Sequence, residues 1–387
     1  MRRQLPPARQ TDPTYHADTP FRKLSALTEQ DPREMTVTRF VHRAAATLAL
    51  CCMSLGFNAS AETAPTVWRM GTSWPTQLPL LHEAANDFAR SVSRASGGRL
   101  LIELVDPSRH GKPGALLDAV KKGEFDLVHT TAHYYAAQVP AIDFFTTIPF
   151  GLTADENHAW LNEGGGQQLF EEVLAPHGIL PLAVGDSTVQ MGGWFSREIK
   201  TIEDLKGLRM RISGFPGRVI ARLGVEPVGM PIGEIIPAFE AGKIDAAEAV
   251  VPAVDVNLPF EKHAPHQYAP WHEPDAVMHV FISRQKFDAL PADLQEIVRL
   301  AGHAAALRSI ARGLDQNAAA MRKLEERGAV VRPWPPEVLD AMRKANAEEI
   351  EAVTDPDSKR VIESLLAYKA HVAPYSEQTV GAVLSTR

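Results

Sequence analysis

The chain has 387 residues, 45% hydrophobic and 22% charged, the ordinary balance of a globular protein and enough length for two domains or one two-lobed unit. Its formal net charge is −7, and no basic block or stripe appears, which excludes nucleic acid as a partner.

Residues 1–34 are polar and proline-containing, with no apolar periodicity. From Met35 the pattern changes. Arg39 and Arg43 form a basic start, Ala44 to Phe57 a short apolar core, and "ASA" (Ala59–Ala61) a small-x-small cleavage site. This predicts a secretory signal over about 35–61, too short for a stable membrane-spanning helix, and hence an exported, periplasmic protein, with translation starting at Met1 or, where the signal begins, at Met35. Cys51 and Cys52 both lie inside that segment, and Leu50 before Cys51 argues against lipid attachment. Cleavage after Ala61 takes away 8 Lys+Arg and 5 Asp+Glu, leaving 32 against 42 and a net charge of −10. The product has no cysteine, so it has no disulfide, thiolate nucleophile or cysteine zinc site.

From Val67 strands and helices alternate. "VWRMGTSW", "RLLIELVD" and "LVHTT" read as strands, with helices in "LPLLHEAANDFARSVSRAS" and "PGALLDAVKKGEFD" between them. This βαβαβ order predicts a parallel sheet covered by helices. The middle repeats the logic. "ILPLAVGDS", "MGGWFS", the end of "TIEDLKGLRMRI", "VEPVGM" and "AAEAVVP" are strand-like, "GFPGRVIARLG" and "PIGEIIPAFEAGKIDA" helical, and "AVMHVFIS" a further strand. Helices then dominate, beginning with a very long one from about Ala292 to Gly328. The predicted class is α/β in two lobes. About 62–188 plus 278–340 form the first lobe and 189–277 the second, with crossovers near 183–196 and 276–283 and C-terminal helices over 341–387. A ligand site belongs at the lobe interface.

HExxH, GxSxG, GxGxxG after a strand, and GxxxxGK[ST] are all missing. His263, His266, His272 and His279 cluster in sequence, but their spacing suits no standard zinc pattern. Four polar residues stand out among apolar or glycine neighbours: Gln190 in "TVQMGGW", Arg211 in "LRMRISG", Glu248 in "DAAEAV" and Glu273 in "PWHEPD". Arg211 ends a strand before a Gly-rich turn, where an open α/β sheet places its ligands, and the helix starting near "SGFPG" can offer N–H donors to an anion. Arginine binds a carboxylate through paired hydrogen bonds. Two glutamates beside such a ligand repel it, and a hard cation, Na⁺ or Ca²⁺, resolves the conflict because carboxylate and amide oxygens suit it. A competing reading keeps Glu248 and Glu273 as the acid and base of a metal-dependent hydrolase or lyase.

At these residues the sequence resembles the periplasmic solute-binding subunit of TRAP transporters, the DctP superfamily. Within it the nearest pattern is the subgroup binding 2-oxo acids, lactate and related carboxylates with a cation. The resemblance runs from about Trp68 to Ser376. Its signatures include "GTSWP", "HYYA", "FFTTIPFGL", "GGGQQLF", "QMGGWFSREI", "DLKGLRMRISG", "GKIDAAE" and "WHEP", in this order. It implies a cluster-C-type, type II periplasmic binding fold with the long helix spanning both lobes. Arg211 would clamp the substrate carboxylate, with Gln190 and Tyr134 as further substrate contacts. Gln190, Glu248, Glu273 and the backbone carbonyl of Ala249 would hold the cation. It also implies a membrane permease as partner, or a receptor if the role is sensing, and a homodimer through Ser358 to Val372. One departure stands out: the subgroup's oxo-acid binders carry tryptophan where this chain has Ala249, and a nearby tyrosine is replaced within "VVPAVD". A wider pocket and a bulkier carboxylate are expected.

Overall fold

The computed structural model describes residues 64–76, 78–109, 112–212 and 214–386. The expected signal over 35–61 and both cysteines lie outside them. The first strands are β1 (Thr66–Thr72), β2 (Leu100–Leu104), β3 (Leu127–Thr130) and β4 (Ile179–Asp186). The chain then forms β5 (Trp194–Phe195), β6 (Arg209–Arg211), β7 (Glu226–Val228), β8 (Ala246–Ala247) and β9 (His266–Tyr268). It returns through β10 (Val277–Ser283) and ends its strands with β11 (Val330–Arg332).

Two sheets result, with orders β2-β1-β3-β10-β4 and β11-β9-β5-β8-β6-β7. In the first, β1 runs parallel to β2 and β3, and β10 is antiparallel to both β3 and β4. In the second, β6 is parallel to β7 and β8, while β5 is antiparallel to β8 and β9. The expected parallel sheets are therefore each interrupted by one strand arriving from the other. Three boundaries differ from the sequence reading. The return crossover is 269–276, and 277–283 already belongs to the first sheet. Residues 330–332, expected in the first lobe, pair with β9 in the second. The strand expected over "AAEAVVP" stops after Ala247, where its pairing with Trp194 and Arg211 ends, and a short helix, Pro252–Asp255, follows.

The helix Ala292–Glu326 has 35 residues, or about 50 Å at ~1.5 Å per residue. Leu294, Val298, Ala301 and Ala305 pack with Trp68, Phe88 and Val280 under the first sheet. Leu324, near its other end, packs with Trp194, Ile235 and Phe260 under the second. The helix thus spans both lobes. Side chains of successive strand residues point to opposite faces, and two-residue β5 uses this fully: Trp194 stacks on Phe260, while Phe195 meets Tyr268 and Trp334 on the other side. In the first lobe Phe145 lies between Trp160 and Phe170, with ring centroids 5.4 and 4.0 Å away. Burying a ring of this size contributes about 1.5–3 kcal/mol, and this stack fixes the segment that carries Asp143.

Candidate functional site

Strand direction brings the site together. β1, β3 and β4 all end toward one cleft and are followed there by Ser73 and Trp74, by Thr131, His133 and Tyr134, and by Ser187 and Gln190. From the second lobe β6 ends on Arg211, β7 leads to Gly229 and Met230, and β8 leads to Glu248 and Ala249. Carboxyl ends of strands are where open α/β sheets bind ligands. The cavity they enclose measures about 630 Å³.

The two crossovers lie side by side and are hydrogen-bonded to one another. Ser187 N donates to Ala276 O, Gln190 N to Glu273 O and Gly192 N to Tyr268 O, at 3.0, 3.0 and 2.9 Å. A Cβ at position 192 would stand 2.2 Å from Ala269 O, so only glycine permits this approach. The pairing sets Gln190 beside Glu273. Its amide Nε2 donates to Ser187 Oγ at 3.1 Å, which leaves the amide oxygen as an acceptor.

Arg211 and Glu248 are neighbours because β6 and β8 pair in parallel, with Arg211 opposite Ala247. Glu248 N donates to Arg211 O at 2.8 Å. The guanidinium donates through Nη1 to the Glu248 carboxylate and to the Glu248 carbonyl (3.0 Å), and through Nε to Met230 O (3.2 Å). Its Nη2 makes no hydrogen bond among the described residues. His272 Nε2 stands 3.9 Å from the other Glu248 oxygen.

Glu248 and Glu273 are buried alike, each 8% exposed, yet their acidities diverge. Burial works against charge on Glu248, but Arg211 and then His272 outweigh it and hold the carboxyl below its usual range. Burial, and then the nearby charge of Glu248, push Glu273 well above it, with Arg211 too weak to compensate. No hydrogen bond reaches the Glu273 carboxylate among the described residues. The site thus lacks one positive charge. Asp143 is pushed up to about 6 by burial, opposed by Arg218 and by the Phe215 N–H. His133 is pushed down to about 4 by burial.

All six sequence candidates, Gln190, Arg211, Glu248, Glu273, Tyr134 and Ala249, line this one cavity. Tyr134 is 38% exposed there and tilts against Trp74 at 5.9 Å. The helix Gly214–Ala221 also reaches the cavity, which Gly214 and Pro216 line together with Asp143 of the first lobe, and the Phe215 N–H lowers the Asp143 pKa against burial. The histidine cluster does not converge. His263 stacks on Phe239, His266 sits in β9, His279 packs on Phe170 and Phe281, and only His272 faces the cavity. Among the described residues no group of three or more His, Cys, Asp or Glu is placed to hold a metal ion. The cavity offers the carboxylates of Glu248 and Glu273 and the side-chain amide of Gln190. That set suits a hard cation that completes its shell from ligand and water oxygens. Sequence reasoning missed Asp143, His133, His272 and Trp74. His272 carried a signal in its place beside Glu273, whereas the apolar run "AIDFF" gave no sign that Asp143 faces a cleft.

Residues 70–355 match the model of the DctP family, bacterial extracellular solute-binding protein family 7. A monocarboxylate 2-oxoacid-binding periplasmic protein of Nostoc is 35% identical over 346 residues, 88% of this chain and 94% of that protein. A TRAP periplasmic solute-binding protein from Pseudoalteromonas atlantica, solved with bound sodium and pyruvate, superposes with a TM-score of 0.80 at 35% identity, covering 84% of this chain and 99% of that one. A TRAP transporter solute-binding protein from Bordetella bronchiseptica, solved as a mixed-occupancy dimer with copurified calcium and picolinate, gives 0.79 at 33% identity, covering 84% and 97%.

Proposed function

The chain belongs to the family 7 bacterial extracellular solute-binding proteins, and from that premise we propose that it captures a monocarboxylate together with Na⁺ or Ca²⁺ in the periplasm and delivers it to a TRAP membrane permease. The observation that carries this reading is the charge imbalance at one end of the cavity. Two buried carboxylates face one guanidinium, and the one without a partner is forced toward its protonated form. When bound, the cation supplies the missing positive charge between protein and ligand oxygens. Glu248, Glu273, the Gln190 amide oxygen and the Ala249 carbonyl would hold it.

Arg211 orients the ligand's carboxylate through the edge of its guanidinium that is not spent on Glu248 and Met230. Tyr134 and Gln190 bound the ligand from the first lobe and the crossover. Since these groups come from both lobes, ligand binding favours the closed arrangement over an open one. Members of this family bind solutes rather than transform them, so Glu248 and Glu273 act as ligands and not as acid and base. Export relies on the segment 35–61. The homodimer uses the C-terminal helix. In Pro356–Tyr375 the side chains of Val361, Ile362 and Leu365 are spent on the chain's own core, so the partner meets the exposed Tyr375, Val380, Val383 and Leu384 beyond them.

Calorimetry on protein stripped by chelation and dialysis tests the central point. Pyruvate and other 2-oxo acids should bind only after Ca²⁺ or Na⁺ is returned. Full binding without either cation would remove the cation from the reading, and no binding of any monocarboxylate would remove the reading itself.

A further inference from the structure

The charged residues occupy only part of the cavity. A ligand of pyruvate's size has six non-hydrogen atoms. Granting each the ~30 Å³ share of a water molecule, it fills less than a third of the 630 Å³. The same cavity is also lined by large apolar side chains: Trp74, Leu78 and Leu81 from the first lobe, and Met230, Ile232 and Val250 from the second.

This apolar wall begins right at the charged end. Met230 gives its carbonyl to Arg211, and Val250 follows Glu248 by two residues. Trp74 and Leu81 share one apolar cluster with Val251, Val254 and Met278, and Leu78, Ile232 and Val250 pack against it. The wall is therefore continuous across both lobes. Water held beside it would find few polar partners, and displacing it with an apolar group is favourable.

Building on the carboxylate reading above, we infer that the natural ligand is a monocarboxylate with a bulky branched or aromatic apolar tail, which buries against Leu78 and Ile232 while its acid end meets Arg211. Burial of the tail between walls from both lobes adds to closure, so a small acid such as pyruvate engages the charged end and leaves the apolar part unused.

The test is a ligand series at fixed Ca²⁺ on the wild-type protein: pyruvate, 2-oxobutanoate, 4-methyl-2-oxopentanoate and phenylpyruvate, which share one acid end. Each added methylene is worth about 0.8 kcal/mol, roughly fourfold in affinity, and the two bulky acids should bind at least about tenfold more tightly than pyruvate. Leu78→Asn combined with Ile232→Asn should shrink the phenylpyruvate-to-pyruvate ratio to below about threefold. Pyruvate binding as tightly as the bulky acids, or more so, overturns the tail and leaves the cation-assisted carboxylate site standing. Failure of all four acids to bind overturns both. The wild-type series decides the matter even where the double variant does not fold.

Discussion

Glu248 and Glu273 face the same cavity at the same degree of burial, and their acidities are pushed in opposite directions. Glu248 follows a strand that pairs with the strand of Arg211, so the parallel register delivers a guanidinium to it. Glu273 sits on the return crossover, where its carbonyl accepts from Gln190 N, and among the described residues no cationic side chain bonds its carboxylate. One carboxylate is satisfied within the fold. The other finds no hydrogen-bond partner among the described residues and, on the proposed function, meets the cation that arrives with the ligand. Burial alone does not mark a binding residue; the missing partner does.

Removing the charge that distinguishes the two should have the largest effect. Arg211→Ala leaves both carboxylates without a fixed counter-charge and the ligand's carboxylate without its clamp. It should weaken monocarboxylate binding by about 2–5 kcal/mol, the range for loss of one partner of a buried charge pair. Calorimetry with phenylpyruvate and pyruvate reads this directly, and unchanged affinity would refute the clamp.

The next contrast is between the two amide variants in the protein without cation. Glu248 has a lowered folded-state pKa, so it contributes stability above its unfolded value of 4.5 that is lost as pH falls through the folded one. Glu248→Gln should therefore destabilise the protein at pH 8, by about 1–3 kcal/mol for a buried charge-assisted hydrogen bond. Glu273 has a raised folded-state pKa, so the wild type loses stability as pH climbs from 4.5 through that higher value. Glu273→Gln should match the wild type near pH 4 and melt at a higher temperature than it at pH 8. Melts showing the same sign for both variants at pH 8 would break the comparison.

The same asymmetry gives the cation a pH dependence. Below the raised pKa of Glu273 a cation has to displace its proton. Affinity should rise with pH, by at most about tenfold per unit for one proton released, and level off once Glu273 is ionised. Calorimetry in buffers of different ionisation enthalpy counts the protons, and Glu273→Gln should abolish the release.

Much of this arrangement was legible in the sequence, for local reasons. Glu248 stood among alanines and valines, Arg211 closed a strand before glycines, and Gln190 preceded a Gly-Gly pair that the structure needs for the close crossover approach. Polar residues in apolar surroundings are costly unless partnered, so each pointed to a partner elsewhere. What stayed hidden depended on distant pairing. Asp143 reads as one more residue of a buried aromatic run, and its contact at Phe215 comes from the other lobe. The divergence of the two glutamates was equally invisible, because it follows from strand register. The strand at Glu248 read too long because "AAEAVVP" has no period that marks an end; the ends of its partners at Trp194 and Arg211 set it.

The smallest expected effect falls on Gln190, and it separates a cation ligand from a spacer. Its amide nitrogen is bound to Ser187 Oγ, and its backbone N–H to Glu273 O. Gln190→Leu keeps the backbone bond but removes both the oxygen offered to the cavity and the amide's bond to Ser187 Oγ, for a loss of about 1 kcal/mol in cation-dependent ligand binding, near one net hydrogen bond. Gln190→Glu puts a third carboxylate in that place. With Arg211, two glutamates and a monocarboxylate the formal charge is already negative before the cation enters, so a further negative charge favours the divalent ion. Gln190→Glu should shift the Ca²⁺-to-Na⁺ affinity ratio toward Ca²⁺ by about tenfold, or ~1.4 kcal/mol. Competition titrations of the two cations at saturating phenylpyruvate read that ratio. A parallel loss for both ions, with the ratio unmoved, would make Gln190 a spacer between the crossovers and leave Glu248 and Glu273 as the cation's side-chain ligands.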